Sequence, residues 1–146
     1  MSRPMFANPP QAAIAALLRA ARTIAVVGLS ADPSRPSHAV ARALQRFGYR
    51  VIPVNPGAGT ILGEQAIGSL EQLPSVLGPG QRADIVDVFR RPEHVAAIVA
   101  DCIRLKLPAL WLQDGVVDED AALAAQRAGI FTVMDRCIYR DRAALA

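Results

Sequence analysis

The stretch "VVGLSADPSRPSHAVARALQRFGYRVIPVNP", residues 26–56, decides the fold. Two valines, extended leftward by "TIA", make a short apolar run that stops at Gly28, as a buried strand does. A polar loop follows. Val40, Ala43, Leu44 and Phe47 then recur at i, i+3, i+4 and i+7, and Gly48 stands where a helix C-cap belongs. "YRVIPVN" is rich in β-formers and closes on Asn-Pro, a turn signal. Strand, loop, helix and strand in this order form a βαβ unit.

The same alternation runs on toward the C-terminus. After a loop with Gly57, Gly59 and Gly63 and a weak stretch ending at "SLEQLPSVLG" that offers a short helix, "ADIVDVF" (83–89) reads as a strand. Val95, Ile98, Val99 and Cys102 mark a helix after Pro92, and "PALWLQ" (108–113) is the next strand. Asp118, Glu119 and Asp120 place negative charge on the first turn of a helix that Gly129 ends, and "IFTVMD" (130–135) is a last strand. Near the start, Ile14, Leu17, Leu18 and Ala21 have helical spacing, with Asn8 and Pro9 as the start signal. The expectation is an α/β, Rossmann-like three-layer domain with a mostly parallel sheet of about five strands plus an N-terminal helix. No composition break divides residues 1–146, so one domain is expected, with 1–9 a loose tail.

Bulk composition narrows the function. The apolar fraction of 52% and charged fraction of 20% describe a globular chain. Fifteen of its sixteen basic residues are arginine, but they are dispersed and the net charge is only +3, which argues against nucleic acid as partner. No segment nears the ~20 apolar residues of a membrane span. "AAIAALL" (12–18) reads as an amphipathic helix and not as a signal peptide, so the expected location is cytoplasmic. Cys102 and Cys137 lack metal spacing, and a disulfide framework is not expected.

The loop after the first strand departs from familiar nucleotide motifs. A dinucleotide fingerprint from Gly28 needs glycine at 30 and 33, where Ser30 and Pro33 stand. It also needs an acidic residue ~20 residues on, where the second strand ends in Asn55 and Pro56. NAD in its usual pose is disfavoured on both counts. A Walker loop fails because Lys106 is the only lysine. Ser30, Ser34, Ser37, Arg35 and the N–H groups of the following helix still suit a phosphate. A loop that only caps the helix suits the same residue types, and both readings stand at this point.

"VVGLSADPSRPSHAVARALQRFGYRVIPVNP", "ILGE" (61–64), "DIVDVFRRPE" (84–93), "WLQDGVVDEDAA" (111–122) and "AGIFTVMDRC" (128–137) together resemble, in order, the small CoA-binding proteins. Those are single Rossmann-like domains similar to the CoA-binding domain of the succinyl-CoA synthetase α subunit. The resemblance covers roughly residues 10–142. It implies coenzyme A, or an acyl-CoA, across the carboxyl ends of the strands, with no chemistry of the chain's own. It puts the phosphate loop on Gly28, Leu29, Ser30, Ser34, Arg35, Ser37 and His38, and the ribose near Asn55 and Pro56. Val88, Phe89 and Arg90 would wall the adenine and pantetheine side. A neutral Asn55 also suits a ribose bearing a 3′-phosphate, which an acidic residue would repel.

Other candidates follow from position. Arg90 and Arg91 follow a strand at the ligand edge, where arginine can grip phosphate bidentately or pair instead with Glu93 or Asp87. Gln113, Asp114 and Gly115 follow the next strand, either near the thiol end of CoA or as an ordinary turn. Cys137 beside Arg136 is either a reactive thiol or a buried one; Cys102 is core and His94 a surface residue. No serine–histidine–acid set is legible, so no catalytic residue is expected. Three readings compete: a CoA-binding module, a detached CoA-binding subunit of an acyl-CoA synthetase, and an NAD(P)-binding redox domain. A homodimer or an acyl-CoA enzyme partner is open.

Overall fold

The computed structural model describes residues 5–145. Five strands form one parallel sheet: β1 (Thr23–Val27), β2 (Arg50–Val54), β5 (Ile85–Val88), β6 (Ala109–Leu112) and β7 (Phe131–Val133), in the order β2-β1-β5-β6-β7. α2 (Pro36–Arg46) carries the chain from β1 outward to β2. α3 (Val95–Arg104) and α4 (Glu119–Arg127) carry it the other way, from β5 to β6 to β7. The strand order therefore reverses between β1 and β5, and the loops leaving those two strands diverge there. This is the topological switch point at which open α/β sheets take ligands.

Both faces of the sheet are covered, so the strands are buried and mostly apolar. One core layer joins Ala25, Val27, Val86, Val88, Leu110 and Leu112 to Val95, Val99 and Cys102 of α3 and to Ala122 and Ala125 of α4. The other joins Ile24, Val26, Ile85 and Trp111 to Ile14 and Leu18 of α1 (Gln11–Ala20), to Ala41 and Leu44 of α2, and to Ile138 of α5 (Ile138–Ala143). Trp111 lies wholly inside this second layer, and its indole N–H donates to the Arg136 carbonyl at 2.8 Å.

The expected architecture is present, and the differences are local. α2 buries Ser37, Ala41 and Leu44, while Phe47 turns out to solvent, stacking on Tyr139 beneath the Arg142 guanidinium. Small residues at 37 and 41 seat the helix close to the sheet; a stripe running through Phe47 would hold it off. Residues 57–66 are not plain loop. They carry a two-stranded antiparallel hairpin, β3 (Thr60–Ile61) and β4 (Glu64–Gln65). The weak stretch before β5 is a 3-10 turn, Leu70–Ser75.

Asn8 does not cap α1, whose N-cap is Pro10. Its side chain instead clamps the end of β7, donating to the Met134 carbonyl and accepting from the Met134 N–H at 3.0 and 2.8 Å. Of the tail expected over 1–9, residues 1–4 lie outside the described residues, and Asn8 is tied down.

One residue breaks the apolar pattern. Asp87, in the central strand, is 0% exposed, and neither carboxylate oxygen has a hydrogen-bond partner. Its neighbours across the ladder are Val26 and Trp111. Burial pushes its pKa well above the usual carboxylate range, so the neutral form is the one the core accepts.

The sign of the resulting pH effect is fixed. The carboxyl is neutral in the fold and ionises freely, near pH ~4, in the unfolded chain. Its share of stability is therefore complete below that pH and is lost as pH rises toward the folded-state pKa. Thermal unfolding of the wild type and Asp87→Asn across pH should show the wild type losing stability relative to the variant as pH rises.

Candidate functional site

The first turn of the site is set by a steric constraint. Gly28 has φ +85°, and its N–H donates to the Val54 carbonyl at 2.9 Å. A Cβ at this position would lie 2.3 Å from the Phe89 carbonyl oxygen, a backbone atom that cannot swing aside. Glycine thus lets the end of β1 lie against the end of β5. Leu29 then dives into the core, and its carbonyl accepts from Asn55 Nδ2 at 2.9 Å, tying the loop to the end of β2.

Beyond Leu29 the loop is organised by short polar bonds. The Ser30 N–H donates to Ser37 Oγ at 3.0 Å, and Ser30 Oγ accepts from the Asp32 N–H at 3.1 Å. Asp32 in turn accepts from the Ser34 N–H and hydroxyl at 3.0 and 2.8 Å. These bonds hold the Asp32 carboxylate below its usual range, the backbone bond from Ser34 contributing most. Ser34 is thereby turned to Asp32 and solvent. α2 begins at Pro36, which has no N–H, with Arg35 as N-cap and no side-chain cap; the His38 and Ala39 N–H groups donate to the Arg35 carbonyl at 3.1 and 3.3 Å, which leaves the Ser37 N–H to meet an anion.

These features open on one cleft of about 760 Å³. Its walls are Gly28, Ser30, Arg35 and Ser37 on one side, Phe89, Arg90 and Arg91 after β5, and Gln113, Asp114, Gly115 and Cys137 opposite. Eleven of the residues singled out in sequence line it together: Gly28, Ser30, Arg35, Ser37, Phe89, Arg90, Arg91, Gln113, Asp114, Gly115 and Cys137. Leu29 and Val88 are buried beneath it; Ser34, His38, Asn55 and Pro56 are not among its lining residues. A second cavity of about 300 Å³ adjoins Arg90 and is lined by Val27, Val54, Ser69 and His94 among others, so Arg90 borders both.

The cleft is electropositive. The side chains of Arg35 and Arg90 have no hydrogen bond or ion pair among the described residues. Arg91 approaches Glu93 at 3.9 Å, an exposed contact of little energetic weight. Neither Arg90 nor Arg91 pairs with Asp87, whose oxygens are sealed inside. Asp114, the one carboxylate on the cleft wall, is ion-paired with Arg140.

The far wall is held by residues with structural duties. Gln113 is buried, and its Oε1 accepts from the Ile138 N–H at 3.0 Å, fixing the start of α5. Asp135, at φ +60°, accepts from the Gly115 N–H at 2.8 Å. Arg136 is occupied by Asp141, which it grips through two nitrogens at 2.7 and 2.6 Å, and by Gln11, so its guanidinium is not spent on Cys137. Cys102 is core as expected, and burial pushes its thiol up to about 12. Among the described residues no cluster of His, Cys, Asp and Glu could hold a metal, and no helix is long and apolar enough to cross a membrane.

Comparison with known proteins agrees with the fold. The CoA binding domain family model matches residues 22–142. The uncharacterized protein YneT of Bacillus subtilis (strain 168) is 40% identical over 131 residues, covering 90% of this chain and 93% of YneT. The structure of cell-free ID.343 from Thermus thermophilus shares 38% identity with a TM-score of 0.85, over 94% of this chain and 100% of that one. The fold also recurs in the dinucleotide-forming acetyl-coenzyme A synthetase 1 of Ca. Korarchaeum cryptofilum, at 20% identity and TM-score 0.62, over 75% of this chain and 25% of that one.

The contact between Gly28 and Phe89 yields a direct test. Gly28→Ala should destabilise the fold by roughly 1–3 kcal/mol in chemical denaturation. Gly28→Asn, which tolerates a positive φ, should fare no better, because the clash is with backbone. Full recovery in the asparagine variant would show that φ alone, and not the approach of the two strand ends, demands glycine.

Proposed function

The chain belongs to the CoA binding domain family, and on that premise we propose that it binds coenzyme A or an acyl-CoA in the switch-point cleft, as one domain without chemistry of its own. The observation that carries this reading is the convergence on one cleft of an uncapped helix start and two arginines that form no hydrogen bond or ion pair among the described residues. CoA presents a diphosphate, a 3′-phosphated ribose and a long arm ending in a thiol. The start of α2 holds the diphosphate through the Ser37 N–H, the Ser30 and Ser37 hydroxyls, the Arg35 guanidinium and the helix dipole.

Arg90, between the two cavities, is placed to serve a phosphate in either, with Arg91 beside it. Phe89 supplies apolar wall, and Asn55 with Pro56 at the end of β2 borders the ribose. The arm then runs toward Gln113 and Gly115. Specificity against NAD rests on charge: an acidic residue at the end of β2 would hold a free ribose, whereas Asn55 there leaves room for a phosphate.

Two unpaired cysteines fit a reducing compartment, which supports a cytoplasmic location. A CoA-binding subunit serving a separate acyl-CoA enzyme is the second reading. The recurrence of this fold as a quarter of the acetyl-coenzyme A synthetase chain favours it, and a pull-down would find the partner.

The test is a calorimetric titration of ligand-stripped protein with CoA, dephospho-CoA, NAD and NADP. CoA should bind with Kd about 1 μM or tighter. Loss of the 3′-phosphate should weaken it roughly tenfold, as expected for a charge-assisted contact. Ser30→Leu should fill the cleft and abolish CoA binding while the protein still unfolds cooperatively. Preference for NAD or NADP would overturn the assignment and make a redox role the leading reading.

A further inference from the structure

The unpartnered carboxyl of Asp87 lies directly under the cleft. Side chains alternate along a strand, and Asp87 shares the parity of Ile85, on the face covered by α1, α2 and α5. Its row across the sheet is Val26, Asp87, Trp111. The next row on the same face is Gly28, Phe89, Gln113, and all three line the cleft. The backbone ladder continues into that row, with the Phe89 N–H donating to Val27 and the Gln113 N–H to Val88 at 2.8 and 3.3 Å. Two residues of rise separate the rows, about 7 Å. Asp87's own row holds Pro53, Val26, Trp111 and Val133, and the indole N–H of Trp111 is spent on the Arg136 carbonyl.

A charge at that depth is poorly screened, so its field reaches the cleft floor with more than its aqueous strength. The cleft's own charges are Arg35, Arg90 and Arg91, with Asp114 neutralised by Arg140. An ionised Asp87 would set a negative charge beneath a site built for anions. Resting on the CoA reading above, we propose that Asp87 must keep its proton for the cleft to hold an anionic ligand, so that proton and ligand bind cooperatively. Ionisation of the carboxyl, its proton passing to solvent, releases the ligand; binding of the ligand draws the proton back. By linkage the two effects are equal in size.

The charged and titratable groups on the elements over this face do not replace this control. They are Arg19 of α1, then His38, Arg42 and Arg46 of α2. On α5 they are Tyr139, Arg140, Asp141 and Arg142. Arg140 is bound to Asp114, Asp141 to Arg136 and Arg142 to Tyr49. None hydrogen-bonds Asp87, and burial alone accounts for the direction in which its acidity moves.

The experiment is CoA affinity by calorimetry from about pH 6 to about pH 9, a span above the ordinary carboxylate range, for the wild type and Asp87→Asn. The ligand's own ionisations are common to both and cancel in the ratio. The wild type should lose affinity relative to the variant as pH rises, by roughly tenfold for each unit by which CoA raises the Asp87 pKa. In parallel, the Asp87 carboxyl carbon resonance of the wild type, followed by NMR with and without CoA, should titrate at higher pH in the complex; this readout stands if the variant folds poorly. Parallel pH profiles, or an Asp87 titration unmoved by CoA, overturn the proposal and leave CoA binding intact. Failure of the wild type to bind CoA at any pH overturns the CoA reading and this proposal with it.

Discussion

The close approach of Gly28 to the Phe89 carbonyl is the constraint on which the rest of the site depends. Because the end of β1 lies against the end of β5, the two loops that leave them part at one point, and the cleft opens between them. A side chain at position 28 would push the strand ends apart and move the start of α2 away from Arg90 and Gln113. The loop that follows keeps that start in place with bonds of its own: Ser37 under the Ser30 N–H, Asn55 on the Leu29 carbonyl. The sequence departs from the glycine-rich fingerprint because only one of its three glycines, the one at the strand crossing, is demanded by this backbone.

Electrostatics complete the site on the same scaffold. The helix start and the cleft arginines provide positive potential, and the carboxylates nearby are tied up elsewhere: Asp114 by Arg140, Asp135 by the Gly115 N–H, Asp141 by Arg136. Asp87 stands apart, because no partner compensates it. An unsatisfied buried carboxyl costs roughly 1–3 kcal/mol, and a leucine or valine would fill a central strand at no such cost. Its presence one row beneath the cleft floor is more readily understood as part of the site than as part of the core.

The sheet was legible because each strand is a buried apolar run closed by a turn signal, and the switch point follows from the alternation of strands and helices. Other features were legible only in part. The α2 stripe read through Phe47 because hydrophobicity marks large residues, whereas the buried face was chosen by small ones, Ser37 and Ala41, that allow close packing. The hairpin at Thr60–Gln65 and the six-residue helix "IYRDRA" are too short to show a period. Asn8, Asn55 and Gln113 bind backbone groups 25 to 126 residues away, and nothing local in sequence announces such bonds. Asp87 read as a possible partner for Arg90 or Arg91, because alternation along a strand tells neighbours apart only once the covered face is known. The cleft residues were found where polar side chains follow strand ends; those turned onto their own loop, such as Ser34 onto Asp32, could not be told from those that face a ligand.

The central claim is the location of the ligand, and amide chemical-shift mapping of the isotopically labelled protein during addition of CoA tests it most directly. The amides of Gly28, Ser30, Ser37, Arg90 and Gly115 should move together and saturate at one stoichiometric equivalent. A more apolar cavity of about 500 Å³, lined by Leu70, Leu73, Leu77, Leu105 and Leu107, sits at the amino ends of β5 and β6. Shifts confined to that cavity, with the β1 turn unmoved, would contradict the account.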